Sequence, residues 1–173
     1  MFPNHYIKCN YMKIQHKRLL AWVGVIALFF GMQFAVSHNL ISGEPPSISG
    51  QLLSGENFDL TQLHGKPAVI YFWGSWCSIC GGMQGTVQNI SKDYPLISLA
   101  MQSGTRSEVA QYMSEQGFSV PTLNDENGQF AKIYGLTGVP TIFVLDPEGK
   151  IRFATMGYTT EIGFRFRLWL AGL

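Results

Sequence analysis

The chain has 173 residues, and 46% of them are apolar, which is enough for one domain with a packed core and a short additional segment. Its formal net charge is only +1, and no basic patch with interleaved aromatic residues follows the N-terminal apolar run. These properties argue against nucleic acid as a partner.

The first feature along the chain is an uncharged apolar run of 18 residues, at 19–36, which follows four basic residues. Its length is close to the ~20 residues with which a helix crosses a hydrocarbon core. Basic residues on the N-terminal side of such a run place that side in the cytoplasm. We therefore predict a cytoplasmic segment over 1–18, a single-pass transmembrane anchor over 19–37, and a domain on the outer side of the membrane.

The same region leaves two alternatives open. Ala35-Val36-Ser37 resembles a signal-peptide cleavage site, although the apolar run exceeds the ~7–15 residues that are usual in a signal peptide. The basic stretch that starts at Met12 forms a complete N-terminal region, so either Met1 or Met12 can be the first residue. With Met12 as the start, Cys9 is absent. The other two cysteines face an oxidising compartment, where disulfides persist.

A tether and a hairpin precede the core of the domain. The tether is predicted over 38–46 from three residues that disfavour regular structure, Gly43, Pro45 and Pro46. The domain is predicted over 47–173. It begins with a β-hairpin at 47–60, which turns at 54–57.

The rest of the domain is predicted to contain strands and helices in alternation. The continuous apolar run at 68–73 predicts a central strand that is buried on both faces. Apolar periodicity predicts the further elements. First come a helix after Cys80, with Met83, Val87, Ile90 and Tyr94 on its inner face, and a strand at 96–101. A helix at 107–116 follows, with Val109, Tyr112 and Met113 inward, and then a short helix at 129–134. The domain ends with a hairpin of strands at 141–145 and 151–155 and a last helix with Ile162, Phe166, Trp169, Leu170 and Leu173 inward.

Cys77 and Cys80 are the residues that carry chemistry. They follow the central strand at the point where a helix begins, and two thiols three residues apart can form and break a disulfide with little backbone movement. A disulfide across so short a loop stabilises a fold weakly, and a zinc site needs further cysteines or histidines, of which only His38 and His64 follow the apolar run. We therefore predict a redox pair. Cys77 is the nucleophile, favoured as a thiolate at a helix N-terminus, and Cys80 is the resolving thiol.

Two motifs resemble the thioredoxin superfamily. The first is Trp73-Gly-Ser-Trp-Cys-Ser-Ile-Cys80, and the second is Thr137-Gly-Val-Pro-Thr141 some sixty residues later. With the turns between them, residues 44–173 resemble the membrane-tethered thioredoxin-like proteins of the TlpA, ResA and DsbE type. Within that type, the suppressor-of-copper-sensitivity (ScsD) group is the most similar.

The resemblance implies an α/β thioredoxin fold, with a central mixed sheet flanked by helices and an N-terminal β-hairpin extension, in addition to the predicted transmembrane helix. It implies that Pro140 follows a cis peptide bond in a loop that faces the cysteine pair. It also implies that Val139 presents its backbone to an extended substrate chain, a mode of pairing that selects little for sequence. Trp76 is expected to be exposed beside Cys77 as a contact surface for partners.

Two positions depart from the family pattern. Tyr71 stands where thioredoxin has a buried acidic residue, and a phenol with an ordinary pKa of ~10 cannot move protons at neutral pH. Met83 stands where haem-maturation members have a glutamate. These departures leave proton transfer to water or to another group, and they argue against a role in cytochrome c maturation.

The sequence thus predicts a thiol–disulfide oxidoreductase, with the reductase direction favoured, in the inner membrane of a bacterium with its domain in the periplasm. The expected substrates are disulfides or oxidised thiols of exported proteins. No cofactor is expected besides the cysteine pair, so a membrane protein of the DsbD/ScsB kind is the expected electron donor. The ScsD resemblance implies a link to copper tolerance. The direction of electron flow and the oligomeric state are left open.

The same residues leave two other functions to compare with this one. Cys77 and Cys80, with Met83 nearby, could bind Cu(I) in a copper-delivery module, because soft sulfur ligands suit that ion. Copper-delivery relatives with this fold, however, have wider cysteine spacing and a distal histidine. A peroxidase of the peroxiredoxin type requires a threonine or serine three residues before the cysteine, where this chain has Gly74.

Overall fold

The computed structural model describes residues 22–25 and 40–173. Residues 22–25 are helical, and the rest of the predicted anchor at 19–37 lies outside the described residues. Within the two described ranges, no helix combines the length and the apolarity that a membrane crossing requires. The described residues from Leu40 onward form one compact unit, and the strands and helices named below belong to it.

The unit contains seven strands and four α-helices among its described residues. In chain order they are β1 (Ser49–Gln51), β2 (Asn57–Asp59), β3 (Ala68–Trp73), α1 (Ser78–Asp93), β4 (Leu96–Met101), α2 (Arg106–Glu115), β5 (Thr122–Asp125), α3 (Gln129–Ile133), β6 (Thr141–Leu145), β7 (Ile151–Met156) and α4 (Glu161–Ala171).

The other five strands, β3 to β7, form one mixed sheet in the order β5-β4-β3-β6-β7. Strand β3 is parallel to β4 and antiparallel to β6, and all six of its residues are buried. Because side chains alternate along a strand, Val69, Tyr71 and Trp73 enter one core cluster, while Ile70 and Phe72 enter the other. The central mixed sheet of the predicted thioredoxin fold is therefore confirmed.

The N-terminal hairpin is confirmed as well. Strands β1 and β2 pair antiparallel, with Gly50 opposite Phe58. The residues before it, predicted as part of the tether at 38–46, lie against the domain from Leu40 onward. Leu40 is buried, the backbone of Gly43 pairs with Ile151, and the hydroxyl of Tyr134 donates to the carbonyl of Pro46 at 2.6 Å.

Helix α1 lies against the sheet through Met83, Val87 and Ile90, which are fully buried as predicted. Tyr94 caps the helix C-terminus, where it is half-buried and packs against the same core cluster, as predicted. The predicted strand at 96–101, the helices at 107–116 and 129–134, and the hairpin at 141–155 are all present within a residue or two.

Strand β5 was not predicted from the sequence. It pairs parallel with β4 at the edge of the sheet, with Leu123 opposite Leu99. Its four residues, Thr122–Asp125, are mostly polar, and short polar strands lack the apolar alternation from which strands are recognised. Pairing with β4 buries this segment in the sheet, and the local sequence does not indicate that pairing.

The last helix is present, but the face predicted to be inward was wrong. Phe164, Leu168 and Ala171 are buried, whereas Ile162, Phe166, Trp169 and Leu173 are exposed and Leu170 is half-buried. Helix α4 carries apolar residues on two opposite sides. Periodicity alone is therefore compatible with either side as the buried one.

Candidate active site

The cysteine pair lies at the carboxyl end of β3, where the chain turns into α1. Cys77 and Cys80 form a disulfide, with their Cα atoms 5.3 Å apart. Cys77 keeps 8% of its surface exposed, and Cys80 keeps 1%. An attacking partner can therefore reach Cys77 but not Cys80, while the roles of nucleophile and resolving thiol stay predictions.

The backbone at this turn is arranged to stabilise a negative charge on Cys77. Cys77 is the N-cap residue of α1, and the N–H of Cys80 donates to its sulfur at 3.2 Å. The helix N-terminus carries a partial positive charge that favours a thiolate over a thiol. The first turn of α1 contains no acidic residue that would oppose this effect.

The loop before β6 faces the cysteine pair. The Val139–Pro140 peptide bond is cis, as the resemblance implied, and the carbonyl oxygen of Val139 lies 3.6 Å from the sulfur of Cys77. Pro140 is buried and Val139 is half-buried. The N–H of Val139 donates no hydrogen bond to any residue that the structure describes. It is thus available to an incoming chain next to the reactive sulfur.

Trp76 is exposed beside Cys77, as predicted, with 58% of its surface accessible. Its position is nevertheless fixed, because the indole N–H donates to the carbonyl of Gln102 at 3.2 Å. Its ring also covers Gly74, where a Cβ would lie 2.6 Å from a ring carbon. A threonine or serine at position 74, which the peroxidase alternative requires, has no room while the ring occupies this place.

Residues after β4 hold the cysteine turn from the side, and the sequence analysis missed them. Gln102 adopts a left-handed backbone with φ of 46°, which is unusual for a residue other than glycine. Ser103 accepts a hydrogen bond from the N–H of Ser75 at 2.9 Å. No local signal marks either residue, since both act through contacts across the sheet.

Further surface surrounds the pair. Ile79 is about half exposed on the first turn of α1, and it adds an apolar contact that the sequence analysis did not single out. An open groove of about 430 Å³ lies beside the loop before β6, and its lining includes Gln102, Lys132 and Gly138. The surface next to Cys77 is therefore mainly apolar, with one cation in the groove.

Two aromatic residues of β3 lie behind the site. Trp73 belongs to the core, because it is buried, donates to the hydroxyl of Ser98 at 3.2 Å and stacks on Tyr112. Burial raises the pKa of Tyr71 above its ordinary value, and the phenol of Tyr112 adds to the effect. Its hydroxyl finds no hydrogen-bond partner among the described residues. Tyr71 is thus a poor proton carrier at neutral pH.

The described residues offer few copper ligands besides the two cysteines. Met83, the expected additional sulfur ligand, is fully buried in the core beneath α1. Within residues 22–25 and 40–173, no three His, Cys, Asp or Glu side chains come together in a way that could hold a metal ion.

Known proteins resemble the chain in sequence and in fold. A profile of the AhpC/TSA family matches residues 41–154. A thioredoxin-like protein of Haemophilus influenzae is 33% identical over 138 residues, which cover 79% of this chain and 82% of that protein. The thiol-disulfide oxidoreductase ResA of Bacillus subtilis is 26% identical over 133 residues, or 74% of each chain.

Among solved structures, a thiol:disulfide interchange protein of the thioredoxin family from Chlorobium tepidum superposes with a TM-score of 0.63 at 23% identity. The superposition covers 76% of this chain and 97% of that one, and it supports the fold. The sequence match, the fold and the paired cysteines agree with one another. The chain belongs to the AhpC/TSA family, as a thioredoxin-like thiol–disulfide oxidoreductase similar in sequence to ResA.

Proposed function

We propose that the chain is a protein-disulfide reductase, anchored in a bacterial inner membrane, that acts on exported proteins in the periplasm. The thiolate of Cys77 attacks a substrate disulfide, and one substrate sulfur leaves as a thiolate and takes a proton. Cys80 then attacks the mixed disulfide and releases the second substrate thiol. The substrate gains two electrons, and the Cys77–Cys80 disulfide forms.

The geometry around Val139 carries this proposal. Its carbonyl lies 3.6 Å from the sulfur of Cys77, and its N–H has no partner among the described residues. An extended substrate chain can pair with this backbone and so place its own cysteine at Cys77. Main-chain pairing gives affinity with little dependence on side chains, which suits a reductase of many proteins.

Trp76 and Ile79 extend this contact. Both are exposed apolar side chains next to the reactive sulfur, and no charged residue stands between Pro67 and Ser91. Exposed apolar surface of this kind marks a contact site for another protein. An unfolded or misoxidised protein offers apolar segments that would cover it.

The location, the donor and the copper link rest on the sequence. The apolar run at 19–36 after four basic residues supports an anchor with the domain outside. No nucleotide-binding motif is visible in the chain, so reduction of the Cys77–Cys80 disulfide falls to another protein, such as a membrane donor of the DsbD/ScsB kind. Copper oxidises and mispairs thiols, so a reductase of the ScsD kind would protect exported proteins under copper stress.

The test measures the reduction potential of the Cys77–Cys80 pair. The full-length protein, in detergent, is equilibrated with a glutathione redox buffer. A reducing pair, near the roughly −270 mV of thioredoxin, supports a reductase, whereas a value near the roughly −120 mV of DsbA overturns that direction. Cys80→Ser is the informative variant. Cys77 should still attack the substrate disulfide, and the mixed disulfide should accumulate because no second thiol releases it. A pair that neither oxidises reversibly nor forms a mixed disulfide, but retains Cu(I) through dialysis, supports the copper alternative instead.

A further inference from the structure

We propose that the groove beside the loop before β6 binds a carboxylate side chain of the substrate, close in sequence to the cysteine under attack. This carboxylate groove is defined by Gln102, Gly128, Lys132, Thr137 and Gly138. The inference rests on the proposed function. It deepens that function by naming a class of favoured substrate, a protein disulfide with Glu or Asp near one of its cysteines.

The carboxylate groove is continuous with the backbone that is open to a substrate chain. Thr137 and Gly138, in its lining, directly precede Val139, whose carbonyl oxygen lies 3.6 Å from the sulfur of Cys77. Side chains alternate along an extended chain, so residues two positions apart point to the same side, roughly 6.6 Å from one another. A substrate chain that pairs with Val139 therefore carries the side chains nearest its cysteine along the groove.

The groove is also connected to Trp76, the exposed residue beside Cys77. The carbonyl of Gln102 accepts from the indole N–H of Trp76 at 3.2 Å, and a Cβ on Gly128 would lie 3.3 Å from the amide carbon of Gln102. Gln102 thus contacts both the tryptophan at the reactive sulfur and the lining of the groove. Its left-handed backbone is disfavoured for a residue with a Cβ, and such outliers concentrate at binding sites.

The groove has the size and the charge to receive a carboxylate. Its volume of about 430 Å³ lies within the roughly 300–1,000 Å³ that is usual for ligand sites. Among the described residues that line it, Lys132 is the one that carries a charge, and Lys132 is exposed. No carboxylate in the described part of the chain forms an ion pair with it. An ammonium group in this state attracts a carboxylate that comes close to it.

The acidic residue next to α3 does not compete for this lysine. The two carboxylate oxygens of Asp125 accept from the N–H groups of Phe130 and Ala131, at 3.1 and 2.9 Å. The positive charge is also local to the groove, because acidic residues outnumber basic ones from residue 40 onward. The domain as a whole does not attract acidic chains, so a preference for a carboxylate must come from Lys132.

Lys132 acts on substrate binding, and the sulfur chemistry stays with Cys77 and Cys80. A carboxylate in the groove holds the substrate chain along Val139 while Cys77 attacks. Exposed ion pairs are weak, so the expected gain in rate is roughly two- to fivefold. A gain of this size favours some substrates and still leaves main-chain pairing to bind the others.

The experiment compares short peptides that differ only in charge. Each has one cysteine, joined by a disulfide to uncharged 2-thiopyridine, and both of its ends are blocked so that only side chains are charged. The residues two before and two after the cysteine are both Glu, both Lys or both Gln. The full-length protein is reduced beforehand and kept in uncharged detergent.

The reaction reports on one attack at a time. The thiolate of Cys77 bonds to the peptide sulfur, the peptide disulfide breaks, and 2-thiopyridine leaves with the electron pair and takes a proton. Cys80 then releases the peptide thiol, and the Cys77–Cys80 disulfide forms. The absorbance of the released 2-thiopyridone gives a second-order rate constant for each peptide.

We expect the wild type to react roughly two- to fivefold faster with the Glu peptide than with the Lys peptide, and less so in high salt. K132M should bring the two rate constants together, and K132E should make the Lys peptide the faster one. K66E is the matched control. It makes the same change of charge on an exposed lysine before Pro67, at the opposite end of β3 from Cys77, and it should keep the wild-type preference. The Gln peptide should react at one rate with every variant.

The outcomes separate this inference from the function on which it rests. Equal rate constants for the Glu and Lys peptides in the wild type, or a preference that K132E does not reverse, overturn the carboxylate groove. Reaction with the Gln peptide then leaves the reductase standing. A preference that K66E removes as well comes from the overall charge of the domain, and it also overturns the groove. Failure of every peptide to react above the uncatalysed rate overturns the reductase and the groove together.

Discussion

The two ends of the central sheet expose tryptophans in different ways. At the cysteine end, the indole N–H of Trp76 donates to the carbonyl of Gln102, and its ring covers Gly74. At the other end, where the chain after α4 lies near Pro67, Trp169 stacks on Phe166, and its indole N–H donates to no described residue. A side chain whose polar atom is tied to the backbone is held in one position, as a specific protein contact requires. One that is held only by stacking has no such tie to the backbone.

The largest expected difference between the two ends is in the rate of disulfide reduction, and it appears when the reactive sulfur is removed. Cys77→Ser should reduce the rate of disulfide reduction to that of the uncatalysed exchange, since no other thiol of the domain is accessible. Reduction of insulin by dithiothreitol, followed by turbidity, measures this rate. Trp169→Phe is the comparison at the other end of the sheet, and it should retain the wild-type rate. Catalysis that persists in Cys77→Ser would contradict the assignment of the nucleophile.

A second test concerns the close contact between Gly74 and Trp76. Gly74→Thr places atoms where the indole ring lies, so Trp76 must move, the turn before Cys77 is distorted, and both stability and activity should fall. Overpacking of this kind costs about 1–3 kcal/mol of unfolding free energy. Urea denaturation measures the change in unfolding free energy.

Gly85→Ala is the matched control for that substitution. Its added Cβ would meet nothing within 4 Å, and it lies in the exposed middle of α1. It should raise the free energy of unfolding by up to about 1 kcal/mol, because alanine is the better helix former. If Gly74→Thr is as stable and as active as the wild type, the ring of Trp76 is not held over Gly74.

A smaller effect is expected from the single hydrogen bond that fixes Trp76. Trp76→Phe keeps an apolar ring but removes the donor to Gln102, and such a bond contributes about 0.5–1.5 kcal/mol. If the bond positions the ring for substrate, kcat/KM for a protein disulfide should fall roughly two- to tenfold. Trp169→Phe should leave kcat/KM unchanged. Equal effects of the two substitutions would remove the distinction between the two ends.

Elements that carry a local signal were predictable from the sequence. The six buried residues of β3 form an unbroken apolar run, and the two motifs mark the turn at Cys77 and the loop at Pro140 before any contact between them is known. The structure adds that the loop reaches the cysteine, with Val139 next to its sulfur. The catalytic and binding roles of these residues stay predictions until the variants are measured.

Features that depend on contacts across the sheet were not predictable. Thr122–Asp125 becomes a strand because β4 offers an edge, although three of its four residues are polar. Gln102 and Ser103 hold the cysteine turn through backbone positions that no motif encodes. Helix α4 is apolar on two sides, so only the packed structure shows that Phe164 and Leu168 are the inner ones.

The smallest expected effect concerns the ion pairs that Arg165 of α4 forms. Arg165 bonds Glu161 and Asp93, and the hydrogen bond from Arg165, followed by that from Asn89, lowers the pKa of Glu161 below its ordinary value. A carboxylate with a lowered folded-state pKa stabilises the fold above its ordinary pKa, and the contribution is lost as the pH falls through the lowered value. Because all three groups are exposed to solvent, the contribution is small and screened by salt.

Arg165→Gln should therefore lower the Tm slightly at neutral pH and low salt, and the difference from the wild type should vanish in acid and in high salt. Arg152→Gln is the control, because Arg152 is exposed and forms no ion pair with the described residues. Thermal unfolding of the full chain in detergent, followed by circular dichroism at both pH values, measures the difference. A deficit of the same size in acid would mean that Arg165 stabilises α4 through the packing of its aliphatic stem and not through charge.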